Sequence, residues 1–244
     1  MTGTIHARAA RLDRRLGSIR ATHSYWAVLG AIFVSFFFAA LLPDAPWASS
    51  LVVLVLSATL LIAIWTAGWG MAQRTGASGA AFVGIAAAVV NIFWQGKALT
   101  AGLGIFAGIL IVSIAVVVAA GALAQQEVNS RSVAGAICVY VLFGMLFMFL
   151  YSVLATLGTS PFFAQGTDGT RAIRLYFSFV TLATLGYGDY TPASNLGHAL
   201  AVLEALLGQI YLVTVVAVVV TRLGLPSERA LEREKESEND GPHT

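Results

Sequence analysis

Six stretches of this chain are apolar over roughly the length of a membrane crossing, and that feature limits the folds open to it. A helix needs about 20 predominantly apolar residues to traverse the hydrocarbon core. The runs extend from Tyr25 to Leu42, Ser49 to Met71, Gly79 to Trp94, Gly102 to Leu123, Val133 to Thr156 and Leu196 to Leu223. Each is bounded by a polar, glycine-containing or proline-containing connection. Of 244 residues, 58% are hydrophobic and 11% charged, which leaves too little polar surface for a soluble domain. The expectation is an all-α, multi-pass integral membrane protein. Cys138 lies inside an apolar run and reads as a small packing residue, so no disulfide framework or cysteine-rich metal site is open to the chain.

Charge sets the expected orientation. With the N-terminus cytoplasmic, the inside holds Arg8, Arg11, Arg14, Arg15, Arg20, Arg74, Arg131, Arg222, Arg229, Arg233 and Lys235, eleven of the 14 basic residues. Only Lys97, Arg171 and Arg174 fall outside. The positive-inside rule therefore places both tails in the cytoplasm of a plasma-membrane protein and the 157–195 region on the outer face. A cleaved signal peptide at 1–42 is disfavoured, because the first run exceeds a signal core and "LLPDAPWASS" offers no clear small-x-small cleavage site. The chain divides into a basic N-terminal segment (1–23), a four-span membrane domain (24–123), a cytoplasmic linker (124–132), a domain bracketed by the last two spans (133–223) and a charged tail (224–244). The basic segment reads chiefly as a topology signal that can also lie on anionic headgroups. The tail reads as a frayed helix followed by disorder.

Between the fifth and sixth spans lies an apolar piece, Ala172 to Ala183, too short to cross, and directly after it the stretch "ATLGYGDYTP" at 183–192. This is the arrangement of a re-entrant segment. The short piece predicts a helix beginning near Thr170, an N-cap after "TDG", and ending just before Thr184, with its negative dipole end toward the membrane interior. Irregular backbone at membrane depth is tolerated only where it is buried in protein or lines a water-filled path. Glycine reaches positive φ without steric cost, so Gly186 and Gly188, alternating with Leu185 and Tyr187, allow successive carbonyls to face one axis. Such a lining replaces the water shell of a monovalent cation.

"TLATLGYGDYTP" resembles the pore loop and selectivity filter of the potassium channel superfamily, whose signature is TVGYG. The resemblance covers about Val133 to Leu223; the first four spans match only in number and placement. It implies K+ coordination by the backbone carbonyls of Thr184, Leu185, Gly186 and Tyr187, with a Thr184 hydroxyl at the inner mouth. Gly188 turns the chain out of the filter, and Asp189 ties the filter to the short helix. Leu185 replaces the usual Val, a conservative change where only backbone meets the ion. Two departures touch the supporting shell: Tyr176 and Phe177 stand where a tryptophan pair is common, and Val180 stands where some members carry a glutamate that bonds the aspartate. One loop per chain cannot surround an ion, so the resemblance implies a homotetramer with its pore on the symmetry axis.

The resemblance further puts a hinge glycine at Gly208 in the sixth span, and helical steps from it give Leu212, Val216 and Val220 on one apolar face. That face is either a hydrophobic constriction that gates by dewetting or ordinary helix packing. Glu204 is the only acidic residue well inside a span. It is either a proton-sensitive group or, the favoured reading, a hydrogen-bonded brace behind the short helix, with Gln209 and Tyr211 as nearby partners. His198 reads as an interface histidine, with external pH tuning as the alternative.

Voltage sensing is not expected. A sensor needs several basic residues at membrane depth, since each charge contributes about 2.3 kcal/mol per 100 mV, and "GLGIFAGILIVSIAVVVAAGAL" has none. Gly104 and Gly108 there form a GxxxG that reads as a close helix contact. Asn91, Trp94 and Gln95 read as interface anchors. Enzyme motifs such as HExxH, GxSxG or a P-loop are missing, and the four histidines are scattered. The expected function is voltage-independent, passive K+ transport through a homotetramer in the lipid bilayer, with no cofactor and no nucleic-acid partner. The alternatives are a less selective monovalent cation channel and a non-conducting membrane scaffold that retains the filter sequence.

Overall fold

The computed structural model describes residues 26–67, 97–123 and 130–223, together with Gly79, Phe82, Ile85 and Ala86. The described segments are helical apart from turns and two isolated β-bridges, Phe163 with Thr167 and Phe163 with Pro192. In chain order the helices are α1 (Trp26–Leu41), α2 (Pro46–Ala67), α3 (Lys97–Leu123), α4 (Ser130–Leu157), α5 (Arg171–Leu182) and α6 (Asn195–Leu223).

Local chemistry sets the boundaries. Pro43 disfavours helical backbone at Leu42, and α1 stops at Leu41. Pro46 then opens α2 at the first helical position, where a missing N–H costs nothing, so the helix starts three residues before the expected Ser49. Ser194 caps α6, its Oγ accepting from the Gly197 N–H at 3.1 Å.

Four helices are long and apolar enough to cross a membrane among the described residues: Trp47–Trp65, Gly102–Ala120, Val133–Leu157 and Asn195–Val215. The first expected span appears as α1, apolar but shorter. The third, Gly79 to Trp94, lies outside the described residues except at its four isolated positions.

The main core joins α1 through α5. Ile32 of α1, Leu56 of α2, Ile114 of α3, Met145 and Met148 of α4 and Leu175 of α5 are all buried in it. Within this core, the buried hydroxyls of Ser35 and Thr59 hydrogen-bond at 3.2 Å across α1 and α2, as interhelical polar groups do in membranes. A second cluster of Phe147, Tyr151, Phe162, Phe163 and Phe177 packs α5 and the 158–170 loop against α4. α5 and α6 contact each other and α4. The last helix differs from the others: 11% of its apolar window is buried, against 44 to 56% for the other three.

Candidate functional site

The site begins with α5, twelve residues held at both ends. Thr170 takes extended backbone and its Oγ1 accepts from the Ile173 N–H at 3.2 Å, the expected N-cap. Asp44, from the α1–α2 connection, also reaches this terminus: both of its carboxylate oxygens accept from the Arg171 N–H, at 2.9 and 3.1 Å. A carboxylate at the positive end of a helix dipole is favourable there. Halfway along, the buried Ser178 hydroxyl meets the Gly144 carbonyl of α4 at 2.7 Å. α5 ends at Leu182, with Ala183 as its C-cap.

The chain then leaves helical geometry. Thr184, Gly186 and Gly188 have φ of 55°, 57° and 76°. Every second residue is thus left-handed, an alternation with which successive carbonyls, rather than every other one, can face a common side. Two of the three are the glycines read from the sequence. The third is a β-branched residue in a region such residues rarely occupy, and nothing in the residue types announced it. The surrounding contacts hold it: the Thr184 N–H donates to Thr181 O at 2.9 Å, the Leu185 N–H to Val180 O at 2.9 Å, and Gln209 Nε2 to Thr184 Oγ1 at 3.0 Å. The Leu185 and Tyr187 side chains are 57% and 66% exposed in the single chain.

Three supporting residues divide in role. Tyr176 donates from its hydroxyl to Asp189 Oδ2 at 2.8 Å, so a tyrosine supplies a tie between α5 and the end of the irregular segment. That bond pushes the phenol above its ordinary value. Val180 contributes its carbonyl to the Leu185 N–H. Phe177 faces away from the segment, its ring edge-on to Tyr151 at 5.1 Å and to Phe163 at 5.5 Å. Beyond Asp189 the returning chain is pinned to the preceding loop: Ala164 N–H to Thr191 O and Ala193 N–H to Phe162 O, each at 2.8 Å. Tyr190 packs on Phe163.

α6 supplies the remaining candidates. A methyl group at Gly208 would collide with the carbonyl oxygen of Leu182, so this glycine lets α6 approach the end of α5. Leu212 is partly exposed, while the side chains of Val216 and Val220 lie outside the described residues. Glu204 is fully buried, accepting from the Tyr151 hydroxyl at 2.6 Å and touching the Ser178 hydroxyl. The nearby partners suggested by the sequence are engaged elsewhere: Gln209 reaches Thr184, and the Tyr211 hydroxyl donates to Ala136 O at 2.7 Å. His198 is exposed at the start of α6.

Sequence reading gave Arg171 and Arg174 only as topology charges and passed over Tyr151, Ser178 and Asp44. Arg174 Nε donates to Ser152 Oγ at 2.8 Å, and its Nη1 to the carbonyls of Asp168 and Gly169 at 2.9 and 2.7 Å. Burial lowers both guanidinium pKa values, an effect that Asp44 opposes. No cluster of three or more potential metal-ligating side chains occurs among the described residues.

Residues 135–224 match the family model described as "Ion channel". The matched segment runs from α4 through the irregular stretch and α6. It supports an ion channel, passive ion conduction and a membrane-embedded protein, and it points away from an enzyme. No solved structure matches the chain.

Proposed function

We propose that this chain is one subunit of a potassium-selective channel. Four copies surround a pore in the plasma membrane, with both termini cytoplasmic and the 79–94 run as a further span. The observation that carries this reading is the alternation of left-handed backbone at Thr184, Gly186 and Gly188 directly after α5. It gives carbonyl oxygens of Thr184, Leu185, Gly186 and Tyr187 to an ion path, where four such segments replace the hydration shell of K+. α5 acts as a pore helix, its C-terminal dipole end favouring a cation below the filter. Tyr176 and Asp189 hold the filter's outer end, and Gln209 with Thr184 its inner end. Conduction needs no covalent step: K+ moves down its gradient between carbonyl sites that bind it strongly enough to enter and weakly enough to leave.

Voltage independence fits the sequence, because α3 carries no charge after Lys97. The inner gate falls on α6 at Leu212, Val216 and Val220, with bending at Gly208. Flux of K+ against Na+ through purified protein in liposomes tests the reading, with Gly186→Ala as the control. At a φ of 57° alanine is strained, so K+ preference in the wild type is expected to vanish in the variant. Equal Na+ and K+ flux in the wild type would favour a less selective cation pore, and no flux under any voltage, pH or tension would favour a scaffold.

A further inference from the structure

Arg171 is 5% exposed, yet its Nη1 has no hydrogen-bond partner, the one such buried side-chain atom among the described residues. Its other contacts are made: Nη2 donates to Ser49 Oγ at 3.2 Å and lies 3.8 Å from Asp44 Oδ1. Buried guanidinium N–H groups without partners are costly and rare, and each calls for an acceptor. Arg171 lines a cavity of about 250 Å³ between α2, α3, α4 and the start of α5. Arg174, Ser152 and Thr156 share its polar wall, and Val53, Leu103 and Phe149 its apolar one. Two arginines and one carboxylate, Asp44, line the cavity, with Asp168 acting on Arg174 from outside the lining; an acceptor for the buried, unpaired guanidinium N–H is expected to be anionic.

A second, almost wholly apolar groove of about 360 Å³ continues from this cavity, sharing Gly104, Phe149 and Val153 with it. It follows α3 from Gly104 past Gly108 and Ile109 to Val112 against Leu146 and Leu150 of α4. The eight residue steps from Gly104 to Val112 rise about 12 Å along the axis. A site with a cationic end and a long apolar extension between membrane helices has the chemistry of a phospholipid.

We propose that the cavity and groove hold one phospholipid from the leaflet on the Asp189 side, with its phosphate on the Arg171 guanidinium and one acyl chain along α3 and α4. The guanidinium forks onto phosphate oxygens in charge-assisted hydrogen bonds. The lipid joins the α2–α3 pair to the N-terminus of α5, extending the tie that Asp44 already makes. This reading depends on the helices being embedded and not on whether the pore conducts.

The test is native mass spectrometry of the full-length protein, purified in mild detergent, delipidated, and incubated with phosphatidylglycerol or, in a parallel arm, inorganic phosphate. The wild type is expected to retain one lipid per chain. Arg171→Gln, which removes the charge, and Ile109→Trp, which fills the groove from a half-exposed position, are each expected to reduce retention at least tenfold. Because Ile109 lies outside the main core, the second variant decides the matter if the first does not assemble. Undiminished lipid in Ile109→Trp overturns the proposal. So does binding of inorganic phosphate with equal affinity and no effect of Ile109→Trp, which would assign a free-anion site.

Discussion

A single hydroxyl proton separates two readings of Glu204. Ser178 has one O–H, yet its oxygen lies within bonding reach of both the Gly144 carbonyl and Glu204 Oε1. If Ser178 donates to Gly144, the second contact is satisfied only when the glutamic acid itself donates. Tyr151 completes the set by donating to Oε2. A neutral carboxyl therefore satisfies every group, and glutamine reproduces it: an amide N–H toward Ser178 and a carbonyl toward Tyr151. We expect Glu204→Gln to assemble and to show the wild-type pH–flux curve, as a brace would. Glu204→Ala is expected to destabilise by about 1–3 kcal/mol for each buried group left unpaired, read from thermal unfolding in detergent. A shifted pH–flux curve in Glu204→Gln would make this residue a proton sensor instead. Tyr176 makes the complementary case at Asp189, just past the left-handed segment. Its phenol is raised above its ordinary value of 10 by the bond to Asp189, so the bond is present at neutral pH and is lost as pH rises through the raised value. Tyr176→Phe is expected to shorten the conducting periods in sustained single-channel records at neutral pH, with strong alkali producing the same behaviour in the wild type.

Between elements, the closest approach is that of α6 to the end of α5, and Gly208 permits it. Gly208→Ala forces the backbones apart and is expected to cost about 1–3 kcal/mol, the usual penalty for overpacking; unchanged thermal stability would return Gly208 to the role of hinge alone. The resemblance singled out its position, but the Leu182 carbonyl that demands it was not legible, because that contact depends on how two helices cross. The same limit explains the other omissions. α5, its Thr170 cap and the positive φ of Gly186 and Gly188 follow from local chemistry: a short apolar segment, a capping residue, and glycines where positive φ is required. Asp44 lies 127 positions from Arg171, and Tyr151 lies 53 from Glu204. No periodicity within one helix brings such pairs together. Gln209 shows how nearness along the chain misleads: it sits five residues from Glu204 but faces Thr184, since a step of five on a helix turns well away from the starting face.

For the whole molecule, the unequal burial of the helices bears on how copies of the chain would assemble. α2, α3 and α4 each bury about half of their apolar windows within one chain, whereas α6 buries 11%. Leu203, Leu206, Ile210 and Val213 are 47 to 67% exposed, and their spacing of three, four and three places them along one stripe of the helix. Lipid can cover such a stripe, but it cannot satisfy the irregular 183–189 backbone beside it. Both surfaces are enclosed if α6 and the 183–189 segment of each chain face the same axis, and a closed ring of identical subunits does this without leaving an unpaired edge. Purified protein is therefore expected to have the molar mass of four chains by light scattering corrected for detergent. Leu206→Gln, on the stripe, is expected to shift that mass toward the single chain, while Val116→Gln, equally exposed on α3, is expected to leave it unchanged. If both variants stay tetrameric, the exposed stripe faces the proposed pore instead of the subunit contact, and the interface must lie on the flanks of α6. If the wild type itself has the mass of one chain, the carbonyls of a single 184–187 segment are left without the three partners a filter needs, and the proposed conduction fails with the assembly.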